Sequence, residues 1–253
     1  MELKPGKLKD EISWKGLKDL IVIVVVIVGL QSFFYKPFYI PSGSMIPSLL
    51  IGDNLFVNKW VYGYSKYSFP FGYKLNYFQG RIWESQPKLG DVVVFRANEM
   101  VSQDFIKRLV GLPGDKLQMI DGRLYINGYL CPLKRIEDSH YYDDSGEILE
   151  APQFIETLPN GKEHLIIKSK PFGAGRLDNT PEFVVPEGHY FMMGDNRDGS
   201  NDSRAQSLIS FVPAENLVGR ADRIFFSTGS HAMLWEIWKW ATDANYDRIF
   251  KGI

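Results

Sequence analysis

The chain has little of several features that would point to a particular class of protein. Its 253 residues include one cysteine, Cys131, so no internal disulfide can form, and we expect this thiol to be a small apolar core residue. The 4 histidines stand far apart and do not fall at metal-ligand spacing, so we predict no metal and no cofactor. A formal net charge of -1 provides no basic surface, which excludes nucleic acid as a partner.

A long apolar run near the N-terminus is the first positive feature. Residues 20–30 carry no polar side-chain atom, and a helix from about Leu17 to Tyr35 has roughly the length needed to cross a bilayer. We therefore predict a transmembrane helix over 20–35, after a cytoplasmic segment over 1–19. A buried strand would be shorter, and a cleaved signal peptide would have a small-residue cleavage site. Lysines before the run, with only Lys36 directly after it, predict that the remainder lies outside.

The body of the chain has the pattern of a mainly β protein. Strands are predicted over 54–62, 91–96, 189–193 and 223–227, and Asp121-Gly122 predicts a tight hairpin between 116–120 and 123–126. The more polar, less regular stretch over 126–181 is interpreted as an inserted subdomain. The remaining predicted ranges are 36–125 and 182–228 for the two parts of a β-rich core, and 229–253 for an amphipathic C-terminal tail.

Aromatic residues crowd the segment over 60–83, and tryptophans recur over 234–240. Aromatic side chains dominate protein cores and interfaces alike, so two interpretations stay open. Both segments could pack within the domain, or both could dip into a membrane interface.

Three stretches carry the chemistry. Pro41 and Pro47 stiffen a loop that presents Ser44, but a serine hydroxyl needs a base beside it to become a nucleophile. Lys107 is the candidate base, since on a strand it would share a face with Phe105 and Leu109, and burial favours the neutral amine. Each alone has a simpler interpretation, as a loop after an anchor or as a solvated Lys-Arg pair.

The third stretch, over 192–204, is rich in charged and hydroxyl side chains but begins in an apolar strand. It has the density of a calcium loop, yet no register places glycine and glutamate where an EF-hand needs them. A solvated turn remains the alternative.

In this order, the three stretches resemble the bacterial type I signal peptidases, also called leader peptidases, a family of serine-lysine peptidases. Residues 41–49 match the family's nucleophile box, 106–115 its lysine box and 194–204 its C-terminal box. The resemblance covers most of residues 36–226. The chain differs from many members of the family in having one anchor and no cysteine pair in the inserted subdomain. It also has Ser48 at a position where threonine is frequent.

The resemblance implies a role for each matching residue. Ser44 would be the nucleophile and Lys107 the general base, while Ser42 would donate to the oxyanion hole beside the backbone N–H of Ser44. Ser200 would orient Lys107, and the supporting residues would be Asp202 and Arg204. Shallow pockets for small substrate side chains would be lined by Phe38, Ile40, Met45, Leu49, Phe105 and Ile106.

The implied function is removal of signal peptides from secreted preproteins by a membrane-anchored serine endopeptidase. It implies a single-pass protein of the bacterial cytoplasmic membrane, with lipid as a partner, the catalytic domain on the outer side, and function as a monomer. Two alternatives are a noncatalytic membrane-tethered β-rich binding domain and a self-cleaving serine-lysine protein of the SOS repressor type.

Overall fold

The computed structural model describes residues 14–69, 79–97, 103–143, 145–207, 209–228, 236, 238 and 240–253. The statements that follow concern these residues.

The protein is mainly β, as predicted. Its strands are β1 Tyr35–Tyr39, β2 Asp53–Asn58, β3 Val92–Arg96, β4 Asp104–Gly111, β5 Lys116–Ile120, β6 Arg123–Ile126, β7 Tyr129–Leu130, β8 Leu133–Arg135, β9 Ser139–Tyr142, β10 Ile148–Ala151, β11 Gln153–Thr157, β12 Glu163–Ile167, β13 Phe183–Val184, β14 His189–Met193, β15 Val212–Pro213 and β16 Leu217–Ser227. The helices are α1 Trp14–Phe33 and α2 Trp240–Asp243. Single 3₁₀ turns occur at Gly43–Met45, Trp60–Tyr62, Lys66–Ser68, Ala214–Asn216 and Tyr246–Arg248.

The largest sheet has seven strands in the order β1-β2-β16-β3-β4-β14-β15, and its neighbouring strands are antiparallel. One core cluster includes Leu55, Val57 and Val94, and another includes Val93 and Phe95. Because successive side chains of a strand point to opposite faces, β3 contributes to both clusters, and this explains its uninterrupted apolar sequence.

Three smaller sheets accompany this one, in the orders β13-β5-β6-β7, β12-β11-β8 and β10-β9. The predicted hairpin is confirmed between β5 and β6, with Asp121 at φ 47° and Gly122 at φ 74°. Two consecutive positive φ values are those of the tight hairpin turn that an Asp-Gly pair favours. Strands β7–β12 fall within the range interpreted as an inserted subdomain, whose borders stay a prediction.

Two predicted strands have different bounds in the structure. The strand expected over 54–62 ends at Asn58, and Trp60–Tyr62 forms a 3₁₀ turn instead. Gly63, at φ 77°, reverses the chain there, so that Tyr64 can bridge to Ile82. The last strand begins at Leu217 and not at Arg223.

The predicted transmembrane helix over 20–35 overlaps α1, whose aliphatic side chains from Leu20 to Val28 are about half exposed. Within the described ranges, however, no helix combines the length and the apolar character needed to cross a membrane. Residues 1–13 of the predicted cytoplasmic segment lie outside the described part of the chain.

The aromatic segment over 60–83 divides into two kinds of environment. Tyr62, Tyr64 and Tyr67 are buried, whereas Trp60 and Trp83 are exposed. Residues 70–78 of this segment lie outside the described residues, as do 229–235, 237 and 239 of the predicted tail.

The end of the tail returns to the main sheet instead of lying apart. The amide of Phe250 donates to the carbonyl of Ile224 at 2.7 Å, within β16. The Arg248 guanidinium donates to both oxygens of the buried Asp53 carboxylate, at 3.0 and 2.6 Å. The C-terminal residues therefore brace the turn between the Ser44 loop and β2.

Candidate active site

Ser44 lies in the 3₁₀ turn Gly43–Met45, in the loop between β1 and β2. Prolines at positions 41 and 47 keep this loop out of regular helix and strand. Met45 and Leu49 anchor the loop by inserting into the main-sheet core beside Ile40. The half-exposed Ser44 is therefore held by buried neighbours on a short, stiff segment.

Lys107 reaches Ser44 from the middle of β4. Its ammonium donates to Ser44 Oγ at 2.6 Å and to the carbonyl of Ile106 at 2.9 Å. The residue is only 4% exposed, and burial lowers the pKa of Lys107 to about 8, although Asp202 and Asp195 act in the opposite direction. The lysine is thus poised to lose its proton close to neutral pH.

The stretch over 194–204 is hydrogen-bonded to the Ser44 loop through Asn196. The backbone N–H of Asn196 donates to the carbonyl of Ser44 at 3.2 Å, and its side-chain amide donates to the carbonyl of Gly43 at 3.1 Å. This stretch is therefore a structured wall of the site and not the solvated turn that its composition also allowed.

Two arginine-carboxylate pairs surround the dyad of Ser44 and Lys107. Arg108 donates to both oxygens of Asp195 at 2.8 and 2.7 Å, and Arg204 donates to both oxygens of Asp202 at 2.8 Å. Burial would raise the pKa of each carboxyl, but its arginine outweighs burial and holds the pKa below the usual value. Both carboxylates are therefore charged and paired.

The remaining predicted residues fall into three arrangements. Ser42 precedes the turn and makes no capping hydrogen bond with its side chain. Ser200 Oγ is buried, and it makes no hydrogen bond to Lys107. Of the proposed pocket residues, Phe38, Ile40, Met45, Leu49 and Ile106 come together in one cluster. Phe105 instead packs with Phe95, in the cluster that contains Leu109.

Comparison with known proteins identifies the family. The signal peptidase family, peptidase S26, matches residues 13–226. A signal peptidase I of Rickettsia bellii (strain OSU 85-389) is 38% identical over 249 residues, covering 93% of this chain and 84% of the relative. A signal peptidase I of Rickettsia typhi is 39% identical over 244 residues, covering 91% of this chain and 90% of the relative. The chain belongs to the signal peptidase S26 family.

A solved signal peptidase I from Enterococcus faecalis V583 is 24% identical, with a TM-score of 0.32, and the match covers 54% of this chain and 97% of that one. Membership of the S26 family makes the protein a peptide-bond hydrolase. The alternative of a noncatalytic binding domain is therefore wrong.

One buried cluster near the candidate active site was not predicted from the sequence. Arg197 forms a bidentate pair with Glu156 of β11, whose carboxylate also lies 3.3 Å from His164 Nε2. Burial would raise the pKa of Glu156, but Arg197 and His164 reverse this and lower it. Glu156 and His164 are register partners on β11 and β12. Both residues fall at inward-facing positions of strands in which buried and less buried residues alternate, and this alternation was the signal in the sequence for a buried pair.

Gly194 offers a test of how closely the site is packed. A Cβ atom at this position would lie 2.3 Å from Ser200 Oγ and 2.6 Å from the backbone carbonyl of Ser44. We expect Gly194→Ala to displace the Ser44 loop and to lower kcat/KM on a peptide substrate by about 10²-fold, a cost that a misplacement of about 1 Å can carry. Gly252→Ala is the matched control, because nothing lies within 4 Å of the added atom. Equal activity of the two variants would contradict this packing.

Proposed function

We propose that this S26 peptidase removes N-terminal signal peptides from exported preproteins, with Ser44 as the nucleophile and Lys107 as the general base. The observation that carries the proposal is the 2.6 Å contact between Lys107 Nζ and Ser44 Oγ at a buried lysine. A base within hydrogen-bond reach of a serine, with its pKa shifted toward neutral pH, has the arrangement that nucleophilic catalysis requires. The signal-peptide substrate class is supported by the similarity to the two Rickettsia relatives, which are signal peptidases I.

The reaction would proceed through an acyl-enzyme. Ser44 Oγ attacks the scissile carbonyl while the neutral Lys107 amine accepts its proton, and the resulting ammonium gives that proton to the leaving amine. Lys107 then takes a proton from the water that attacks the ester, and gives it to Ser44 Oγ as the ester bond breaks and the acid is released. The Ser42 hydroxyl and the Ser44 backbone N–H would stabilise the oxyanion, and one such donor is typically worth roughly 2.7–4 kcal/mol. Neither the acylation nor the hydrolysis requires a metal or cofactor.

The roles of the surrounding residues follow from their contacts. Asp202 and Arg204 would keep the wall over 194–204 rigid, since the Asp202 carboxylate also accepts from the amide of Gly194 at 2.9 Å. The role of Ser200 rests on the family resemblance alone: its hydroxyl would orient the Lys107 amine once substrate is bound. Ser44 and Lys107 meet within a single chain, so we propose that the protein functions as a monomer.

The pH dependence of cleavage tests the base. Because only neutral Lys107 can accept the Ser44 proton, kcat/KM on a purified preprotein should rise with pH and level off above about 8. Ser44→Ala and Lys107→Arg should both abolish cleavage, since arginine stays protonated at every accessible pH. Lys116→Arg, at an exposed position on β5, is the matched control and should cleave normally. Near-normal cleavage by Lys107→Arg would exclude the serine-lysine mechanism.

The proposed pockets predict a preference for small side chains at the first and third positions before the cut. Ile40, Met45 and Leu49 are at most 1% exposed, so little room is expected beside them. Replacing alanine by leucine at either position should lower kcat/KM by about 10- to 200-fold. The same replacement at the second position should cost less, because alternate side chains of an extended peptide point away from each other. Equal losses at all three positions would remove the pocket assignment.

We also propose that α1 is the single attachment of the protein to the bacterial cytoplasmic membrane, with the β-rich part on the outer side. The exposed aliphatic side chains from Leu20 to Val28 support contact with lipid, since apolar area left in water is unfavourable. Val22→Asp/Val25→Asp should reduce co-sedimentation of the full chain with lipid vesicles, while cleavage of a short soluble peptide in detergent continues. Undiminished co-sedimentation of this variant would exclude α1 as the attachment.

A further inference from the structure

A groove of about 290 Å³ opens beside the Ser44 loop. One wall comes from the loop itself, through Gly43 and Ile46, and the next from Asn196 and Gly199. Since Asn196 donates to the carbonyls of both Ser44 and Gly43, this second wall begins one hydrogen bond away from the nucleophile.

The far wall of the groove is the hairpin of β9 and β10, which contributes Tyr141 and Leu149. This hairpin is packed onto the nucleophile loop, because Tyr141 and Ala151 share a core cluster with Ile46 and Ile167. The groove is therefore built into the fold and fixed relative to Ser44.

None of the six residues proposed to hold the substrate before the cut lines this groove. Five of those residues belong to the main-sheet cluster, whereas the groove lies between the loop and the hairpin. A peptide whose scissile carbonyl is at Ser44 advances about 3.3 Å per residue when extended. If its residues before the cut occupy the main-sheet side, its residues after the cut would continue on the other side of the Ser44 loop, where the groove lies.

Two carboxylates, Asp143 and Asp198, and one exposed ammonium, Lys170, line the groove. The Asp198 carboxylate accepts from the amide of Lys170 at 2.8 Å and, at 3.1 Å, from the buried Lys168 ammonium, which also binds Asp178 at 2.7 Å. Asp143 Oδ1 accepts three hydrogen bonds from its own turn, at 2.7 to 2.9 Å. The exposed Lys170 ammonium makes no hydrogen bond or ion pair within the part of the chain that the structure describes.

We propose that this groove binds the first residues of the mature protein, after the cut, and that Lys170 selects an acidic side chain there. The inference rests on the proposed function and extends it to the other side of the scissile bond. An aspartate or glutamate would pair with Lys170, while the Tyr141 ring and the aliphatic side chain of Leu149 would cover the peptide. A lysine at the same substrate position would be repelled.

The test compares preproteins that differ only in having aspartate or lysine at one of the first four positions after the cut. The wild-type ratio of kcat/KM, aspartate over lysine, should be largest at one position and reach about three- to tenfold, as expected for an exposed charge pair and its reversal. Lys170→Glu should invert this ratio. A general loss of activity would not change the ratio, because it would lower both kcat/KM values by the same factor. Lys134→Glu, on the exposed part of β8, is the matched control and should leave it unchanged. A ratio that Lys170→Glu does not alter overturns the assignment.

A second measurement is independent of turnover. Ser44→Ala protein is incubated with a preprotein that carries a photo-crosslinker at the third position after the cut. Crosslinks to β9 or β10 support the groove, and crosslinks confined to other strands overturn it. Failure of the proposed function has a different signature: the wild-type chain would leave every preprotein uncut, whichever residue follows the cleavage site.

Discussion

The burial of Lys107 against Ser44 is the constraint on which the rest of the site depends. A lysine amine can act as a base near neutral pH only where water is excluded, since in water its pKa is about 10.4. In the described part of the chain, Lys107 contacts Ser44 Oγ and the carbonyl of Ile106 but no carboxylate. A direct ion pair would favour the ammonium form, so keeping carboxylates away matters as much as burial.

Two carboxylates nevertheless lie close enough to raise the pKa of Lys107, and their arginines limit the effect. Asp195 is paired with Arg108 and Asp202 with Arg204, and Arg204 itself acts to lower the pKa of Lys107. Removing one member of a buried pair typically costs about 3–5 kcal/mol, because it leaves an uncompensated charge. These pairs thus fix the wall around the dyad and offset the charges that would otherwise keep the lysine protonated.

The sequence predicted the family and the mainly β fold, but not the long-range contacts around the candidate site. The β-rich fold and the Asp121-Gly122 hairpin follow from local patterns, and the motif order carried the family resemblance. Local patterns cannot determine the contact of Lys107 with Ser44, the partnership of Arg197 with Glu156, or the return of Arg248 to Asp53, because each joins residues far apart in the chain. The end of the strand at Asn58 was missed for a related reason, since residues with high β propensity form a turn where Gly63 reverses the chain.

The Ser44 loop is held from three directions by such distant contacts. Asn196 binds its start, the β9–β10 hairpin packs on Ile46, and the Arg248 guanidinium donates to the carbonyl of Ser48 at 3.0 Å. Met45 and Leu49 of the same loop also pack in the core cluster that contains Ile106, the neighbour of Lys107. A shift of this loop would therefore misplace Ser44 and also admit water to the amine, which would raise its pKa toward that of a solvated lysine. Alignment and protonation state are consequently set by the same packing, and a change that disturbs one will disturb the other.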